Sequence, residues 1–199
     1  LSPAHGVALL VTTLVAIPAF GCDARLYAPI RNLLPDSVDM SVEIADADSF
    51  TGCVAQLLVR APERFVVMGT SFGGRLALEL TLAAPQRVSG LIVIGSGPGP
   101  VADAAAGRRR SSRLRAGEAD AVVAEMAAII SHLPRPNGPA TREAFVAMAR
   151  AQGPDVMARQ SDALAGRIDL WPRLSDIGCP ALMLWGKYDQ FSAAADGLR

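Results

Sequence analysis

Gly69-Thr70-Ser71-Phe72-Gly73 sets a serine between two glycines at the spacing G-x-S-x-G, and a further Gly74 follows. A hydroxyl is a weak nucleophile, so its chemistry depends on how the chain holds it. A strand-to-helix turn tight enough to raise Ser71 above a sheet leaves little room for side chains two residues to either side. Gly69 and Gly73 supply that room. The helix that follows then points its first amides, Phe72 foremost, at an oxyanion formed when Ser71 attacks a carbonyl carbon. A glycine-rich connection with no chemistry would use the same residues. The apolar run Phe65–Met68 before the motif and the helical pattern Arg75–Ala84 after it favour the chemical reading.

An oxyanion needs a second donor. The turn Pro18-Ala19-Phe20-Gly21 closes the first apolar run, and its small or turn-forming residues let the Phe20 amide face inward. Asp189 is the candidate acid. It ends Gly186-Lys187-Tyr188-Asp189 after the apolar segment Ala181–Trp185, which predicts a carboxylate at the same sheet edge as Ser71. A solvated turn aspartate is the plainer alternative. Histidine is scarce, with only His5 and His132. His132 ends an amphipathic stretch before Pro134 and Pro136, where a capping or surface role is expected, and His5 sits near the chain end. Cys22, Cys53 and Cys179 are scattered and include no C-x-x-C pair, so neither a metal site nor a disulfide framework is expected.

Placing these groups requires alternating elements. Strands are predicted at Val11–Ile17, Val38–Ile44, Phe65–Met68, Val88–Ile94 and Ala181–Trp185. Helices are predicted at Ala24–Leu34, Ser49–Arg60 (with Asp46 and Asp48 as cap candidates) and Arg75–Ala84. Repeated β-α units of this length imply an α/β fold, a doubly wound and mostly parallel sheet. From about Ala102 to Arg167 the pattern is helical. Val122, Val123, Met126, Ile129, Ile130 and Leu133 fall on one face, expected to turn inward over Ser71. The organisation read from this is a core over 1–99, a helical cap over 100–167 and the rest of the core over 168–199.

Of the 199 residues, 51% are hydrophobic and 19% charged, which excludes wholesale disorder. Nineteen basic residues match nineteen acidic ones, against the basic excess of a nucleic-acid binder. The cluster Arg108-Arg109-Arg110 with Arg113 and Arg115 reads as a solvated helix face balanced by Glu118, Asp120 and Glu125. The chemical alternative is that one of these arginines meets an anionic substrate tail. Gly6 to Phe20 is apolar and followed by Gly21-Cys22, as in an export signal. No Lys or Arg precedes it, it is too short to span a bilayer, and its β-branched residues predict a buried strand instead. A cytoplasmic protein without a membrane partner is the expectation.

Ile17-Pro-Ala-Phe-Gly-Cys-Asp-Ala-Arg-Leu-Tyr, Arg64-Phe-Val-Val-Met-Gly-Thr-Ser-Phe-Gly-Gly, Ala84-Pro-Gln-Arg-Val and Cys179-Pro-Ala-Leu-Met-Leu-Trp-Gly-Lys-Tyr-Asp together resemble the α/β-hydrolase superfamily. The resemblance is to its esterase-like members with a helical cap after the sixth of eight strands, and covers about residues 9 to 192. It implies that Ser71 is the nucleophile, Asp189 the triad acid, Phe20 and Phe72 the oxyanion donors, and Gly69 and Gly73 the flanks of the nucleophile elbow. The implied activity is a serine hydrolase that cleaves a carboxylic ester, thioester or lactone through an acyl-enzyme, without a cofactor, on a small acyl substrate. An acyltransferase of the same fold, or a ligand-binding module without turnover, is the alternative. The chain departs from the pattern in three places. Pro18-Ala19 replaces the usual His-Gly, Ser96 stands where some members put the acid, and the catalytic His expected about 20–30 residues beyond Asp189 falls past Arg199. The first two strands of the usual sheet are expected to be absent or reduced to the first ten residues, and poor catalysis by this chain is expected.

Overall fold

A computed structural model describes residues 11–192. Among the described residues five strands form one sheet: β1 (Thr12–Ile17), β2 (Val38–Val42), β3 (Phe65–Thr70), β4 (Val88–Ile94) and β5 (Ala181–Leu184). Their order is β2-β1-β3-β4-β5, and every neighbouring pair is parallel. Parallel neighbours require crossovers. Helix α2 (Phe50–Arg60) joins β2 to β3, and α3 (Phe72–Ala83) joins β3 to β4. The residues expected before β1 lie outside those described.

Several boundaries differ from the sequence expectation for local reasons. The helix expected over 24–34 is a 3-10 turn, Ala24–Tyr27, followed by one α turn, α1 (Ala28–Arg31). Pro29 has no N–H to return to the Arg25 carbonyl, so one α ladder cannot run through it. Helix α2 is capped by Ser49, whose Oγ accepts from the Gly52 amide at 3.2 Å, and not by Asp46 or Asp48. Asp46 instead pairs with Arg159 at 3.0 Å. Strand β3 runs to Thr70 and α3 begins at Phe72, so the turn between them is a single residue, Ser71.

Between β4 and β5 the chain forms α4 (Ala104–Arg115), α5 (Ala119–Ile130), α6 (Gly138–Gln152) and α7 (Pro154–Ala165). The apolar face read for α5 is partly wrong. Val122, Val123 and Ala127 are buried, but Ile129, Ile130 and Leu133 are exposed. The helix ends at Ile130, so a helical period carried on to Leu133 overshoots it.

Arg75, on α3, is wholly buried. Its five N–H groups are matched by five hydrogen bonds: two to Glu79 Oε1 (3.0 and 2.7 Å), then the carbonyls of Pro98 (2.7 Å), Gly99 (3.0 Å) and Ile168 (2.7 Å). It thereby ties α3 to both crossings between the sheet and α4–α7. Among the described residues no helix is long and apolar enough to cross a membrane.

Candidate active site

Ser71 sits at the carboxyl end of β3 with φ +53° and ψ −111°, and among the described residues it is the only non-glycine with positive φ. Its N–H donates to the Ile94 carbonyl at 2.8 Å, and its own carbonyl accepts from the Arg75 amide at 3.0 Å. The flanking glycines are required by contact. A Cβ on Gly69 would fall 2.0 Å from the Gly73 carbonyl oxygen. One on Gly73 would fall 2.0 Å from the Ile17 oxygen and 2.6 Å from that of Pro18. The start of α3 is therefore pressed against the end of β1.

Phe72 is the first residue of α3. Its ring is buried and stacks on Phe50, with centroids 5.4 Å apart. That sends the side chain toward α2 and leaves the amide among the first-turn donors without an intrahelical acceptor. Tyr27 braces the same corner: its hydroxyl donates to the Ile17 carbonyl and bonds Thr70 Oγ1, both at 2.8 Å. Burial pushes its phenol pKa upward, so it stays a neutral donor. Sequence reasoning gave Tyr27 no role, because both partners are remote in the chain.

After β1 the chain makes a type II turn over residues 19–22. Cys22 N–H donates to the Ala19 carbonyl at 2.9 Å, and Gly21 has φ +66°. Gly21 N–H donates to Gln160 Oε1 at 3.0 Å, while Gln160 Nε2 donates to the Ala45 carbonyl at 3.0 Å. Gln160 belongs to α7 and is another residue that nothing in the local sequence marks. The Phe20 N–H has no acceptor among the described residues, and its ring is buried beneath Arg110.

Asp189 lies in the loop after β5. Its Oδ1 accepts from the Phe191 and Ser192 amides at 2.8 and 2.9 Å. Oδ2 has no donor among the described residues and lies over Gly95, where a Cβ would come within 2.9 Å of it. Ser71, Phe20, Gly95 and Asp189 thus follow the carboxyl ends of β3, β1, β4 and β5, four adjacent strands. His132 is not brought to them. It stacks on Tyr188, centroids 4.5 Å apart, and makes no hydrogen bond to Ser71 or Asp189. His5 lies outside the described residues. Two open depressions, of about 460 Å³ along α4 and about 610 Å³ along α6, include none of these groups.

An all-parallel sheet with crossover helices and a strained serine in a one-residue strand-to-helix turn defines the α/β-hydrolase class of fold. The family model described as the alpha/beta hydrolase family matches residues 3–199, and the chain belongs to that family. It is 38% identical over 95 residues to the pimeloyl-[acyl-carrier protein] methyl ester esterase of Aliivibrio salmonicida, covering 43% of this chain and 36% of that one. It is 28% identical over 155 residues to the 2-hydroxy-6-oxononadienedioate/2-hydroxy-6-oxononatrienedioate hydrolase of Paraburkholderia xenovorans, covering 69% and 50%. The matched part is half or less of either relative's length. Among solved structures, the enol-lactonase from Burkholderia xenovorans superposes with a TM-score of 0.83 at 16% identity, covering 98% of this chain and 79% of that one. A thermophilic esterase from Thermogutta terrifontis gives 0.82 at 20% identity, covering 93% and 75%. At such identities the likeness is one of fold.

Proposed function

We propose that this chain carries the nucleophile and the acid of a serine hydrolase acting on a carboxylic ester, thioester or lactone through an acyl-enzyme. The observation that carries the reading is the Ser71 backbone. A non-glycine residue at φ +53°, ψ −111° costs about 1–3 kcal/mol and persists only where its surroundings over-determine it, here through two carbonyl-crowded glycines. In the proposed reaction Ser71 Oγ adds to the carbonyl carbon while an imidazole base takes its proton. The carbonyl oxygen, now anionic, accepts from the Phe20 and Phe72 amides. Collapse breaks the bond to the leaving alcohol or thiol, which recovers the proton, and water then repeats the sequence on the acyl-enzyme. Asp189 Oδ2 is the open acceptor that would orient the imidazole.

Helices α4–α7, within residues 100–167, serve in this reading as the cap over a small acyl substrate. The free thiols of Cys22, Cys53 and Cys179 fit a reducing compartment. An esterase and a hydrolase among the relatives support the reaction class. A binding module without turnover is the second reading, favoured by the position of His132 away from Ser71. A fluorophosphonate probe separates the two. Covalent labelling at Ser71 that added imidazole accelerates and Ser71→Ala abolishes supports the hydrolase, and a Ser71 that stays unlabelled in the folded chain even with imidazole supports the binding module.

A further inference from the structure

The arginine cluster on α4 is not uniform. Arg109 pairs with Asp103 at 3.3 Å, Arg113 with Glu118 and Glu125 at 2.8 Å each, and Arg115 with Asp162 at 2.5 Å. Arg108 is exposed. These are solvated charges of small energetic weight. Arg110 differs. It is half-buried, and no carboxylate among the described residues lies within ion-pair distance of it. Its Nε donates to the buried Ser161 Oγ at 2.7 Å, and Nη1 meets Met126 Sδ at 3.8 Å. Its Cζ stands 4.9 Å from the centroid of the Phe20 ring.

A partly desolvated cation without a counter-charge carries a cost, and a π face with one hydroxyl offsets only part of it. Burial also depresses the Arg110 pKa, yet a guanidinium stays charged at neutral pH. Both Nη2 hydrogens lack a partner among the described residues. Ser161 is next to Gln160, the residue that grips the Gly21 amide, so one stretch of α7 fixes both the Arg110 head group and the turn offering the Phe20 N–H. Standard covalent geometry puts the guanidinium carbon within about 10 Å of that amide, the length of a short linear acid.

We propose that Arg110 recognises a carboxylate at the far end of the acyl substrate, so that the site prefers half-esters of dicarboxylic acids to neutral esters. This rests on Ser71 and Phe20 forming the acyl site. The test is ligand-observed NMR titration of the 199-residue chain with monomethyl adipate and with dimethyl adipate at low salt, which requires no turnover. The half-ester is expected to bind at least about tenfold more tightly, as a charge-assisted pair in a partly dry site should. Arg110→Met should bring the two within about twofold while leaving diester binding unchanged, with a melting temperature a few degrees lower because the buried Ser161 loses its donor, and Arg110→Lys should keep part of the preference. Should Arg110→Met melt early, Arg110→Lys and the salt dependence of half-ester binding decide. Equal or undetectable binding of the two esters by the native chain, or a preference that survives loss of the charge, overturns the proposal. Failure of the serine-hydrolase reading is seen separately. Ser71 would then resist the fluorophosphonate even with added imidazole while the half-ester preference, and its dependence on Arg110, persisted.

Discussion

The main-chain N–H of Ser71 donates to the carbonyl of Ile94 at 2.8 Å, and Gly95, the residue after that acceptor, lies directly beneath the Asp189 carboxylate. The end of β4 is therefore a shared platform. It holds the β3 turn by one hydrogen bond on one side. On the other, the Gly95 N–H donates to the Leu184 carbonyl at 2.8 Å, which sets the height of the loop carrying Asp189. The left-handed Gly95 (φ +58°) leaves Oδ2 the space a side chain would take.

The glycines of the β3–α3 turn and those elsewhere should respond differently to substitution. At Gly73 a Cβ meets two backbone oxygens, neither of which can yield without parting α3 from β1. At Gly117 (φ +89°) it meets nothing within 4 Å. Gly117→Ala is expected to lose about 1 kcal/mol, from backbone strain alone. Gly73→Ala and the bulkier Gly73→Val should lose more than about 3 kcal/mol or fail to fold. Urea unfolding of the variants side by side checks the ranking, and equal losses at both positions would remove the steric basis of the elbow.

Arg75→Met should lose about 3–5 kcal/mol, because it leaves Glu79 and three carbonyls without the donors that satisfy them. Glu79→Gln keeps an acceptor for the guanidinium but removes the counter-charge of a wholly buried cation, so it is expected to lose about 2–3 kcal/mol. Urea midpoints give both values. A near-neutral Arg75→Met would mean that the crossings at Pro98 and Ile168 are held by other contacts.

What was legible in the chain was what depends on near neighbours. Strand β4 has the boundaries its apolar run predicts, and the Gly69 and Gly73 requirement follows from a turn five residues long. Gln160 reaches a turn 139 residues earlier, and the buried guanidinium of Arg75 spans 93 residues to Ile168. Neither position differs in type or spacing from an ordinary helix-surface residue. Arg110 was visible only as one of five arginines. It is the packing of α4 on α7 and Phe20 that deprives it, unlike Arg113, of an acidic partner.

The buried thiols should make the fold sensitive to alkali. Desolvation raises the Cys22 pKa from its ordinary value of 9.0 to about 12 and that of Cys53 to about 11. Below pH 9 both thiols are protonated in the folded and the unfolded chain, so neither contributes a pH dependence. Above pH 9 the unfolded chain releases these protons first, and stability falls as the pH rises, for Cys53 until about 11 and for Cys22 until about 12. The slope is at most about 1.4 kcal/mol per pH unit for each thiol. Urea midpoints between pH 8 and 11 should decline, and less steeply in Cys22→Ala. Iodoacetamide should reach the partly exposed Cys179 before the other two. Early alkylation of Cys22 in the folded chain would contradict its burial.

His132 is the one imidazole among the described residues, and its contact is with Tyr188, the neighbour of Asp189, rather than with the Asp189 carboxylate. The stacked pair links the loop after α5 to the loop after β5, and Arg135 Nη2 donates to the Tyr188 hydroxyl at 3.2 Å. In this arrangement His132 braces the loop that carries Asp189 and makes no hydrogen bond to Ser71. His132→Ala is accordingly expected to lose about 0.5–1 kcal/mol of stability. The same change should leave the fluorophosphonate labelling rate at Ser71 within about twofold of the native chain. With no imidazole bonded to Ser71 or Asp189 among the described residues, ester turnover by the 199-residue chain should lie on the order of 10⁴–10⁶ below that of an assembled triad, sustained by binding and oxyanion contacts alone. Rapid ester hydrolysis that vanishes in both Ser71→Ala and His132→Ala would reverse this assignment. His132 would then be the base, reaching Ser71 by leaving its stack on Tyr188.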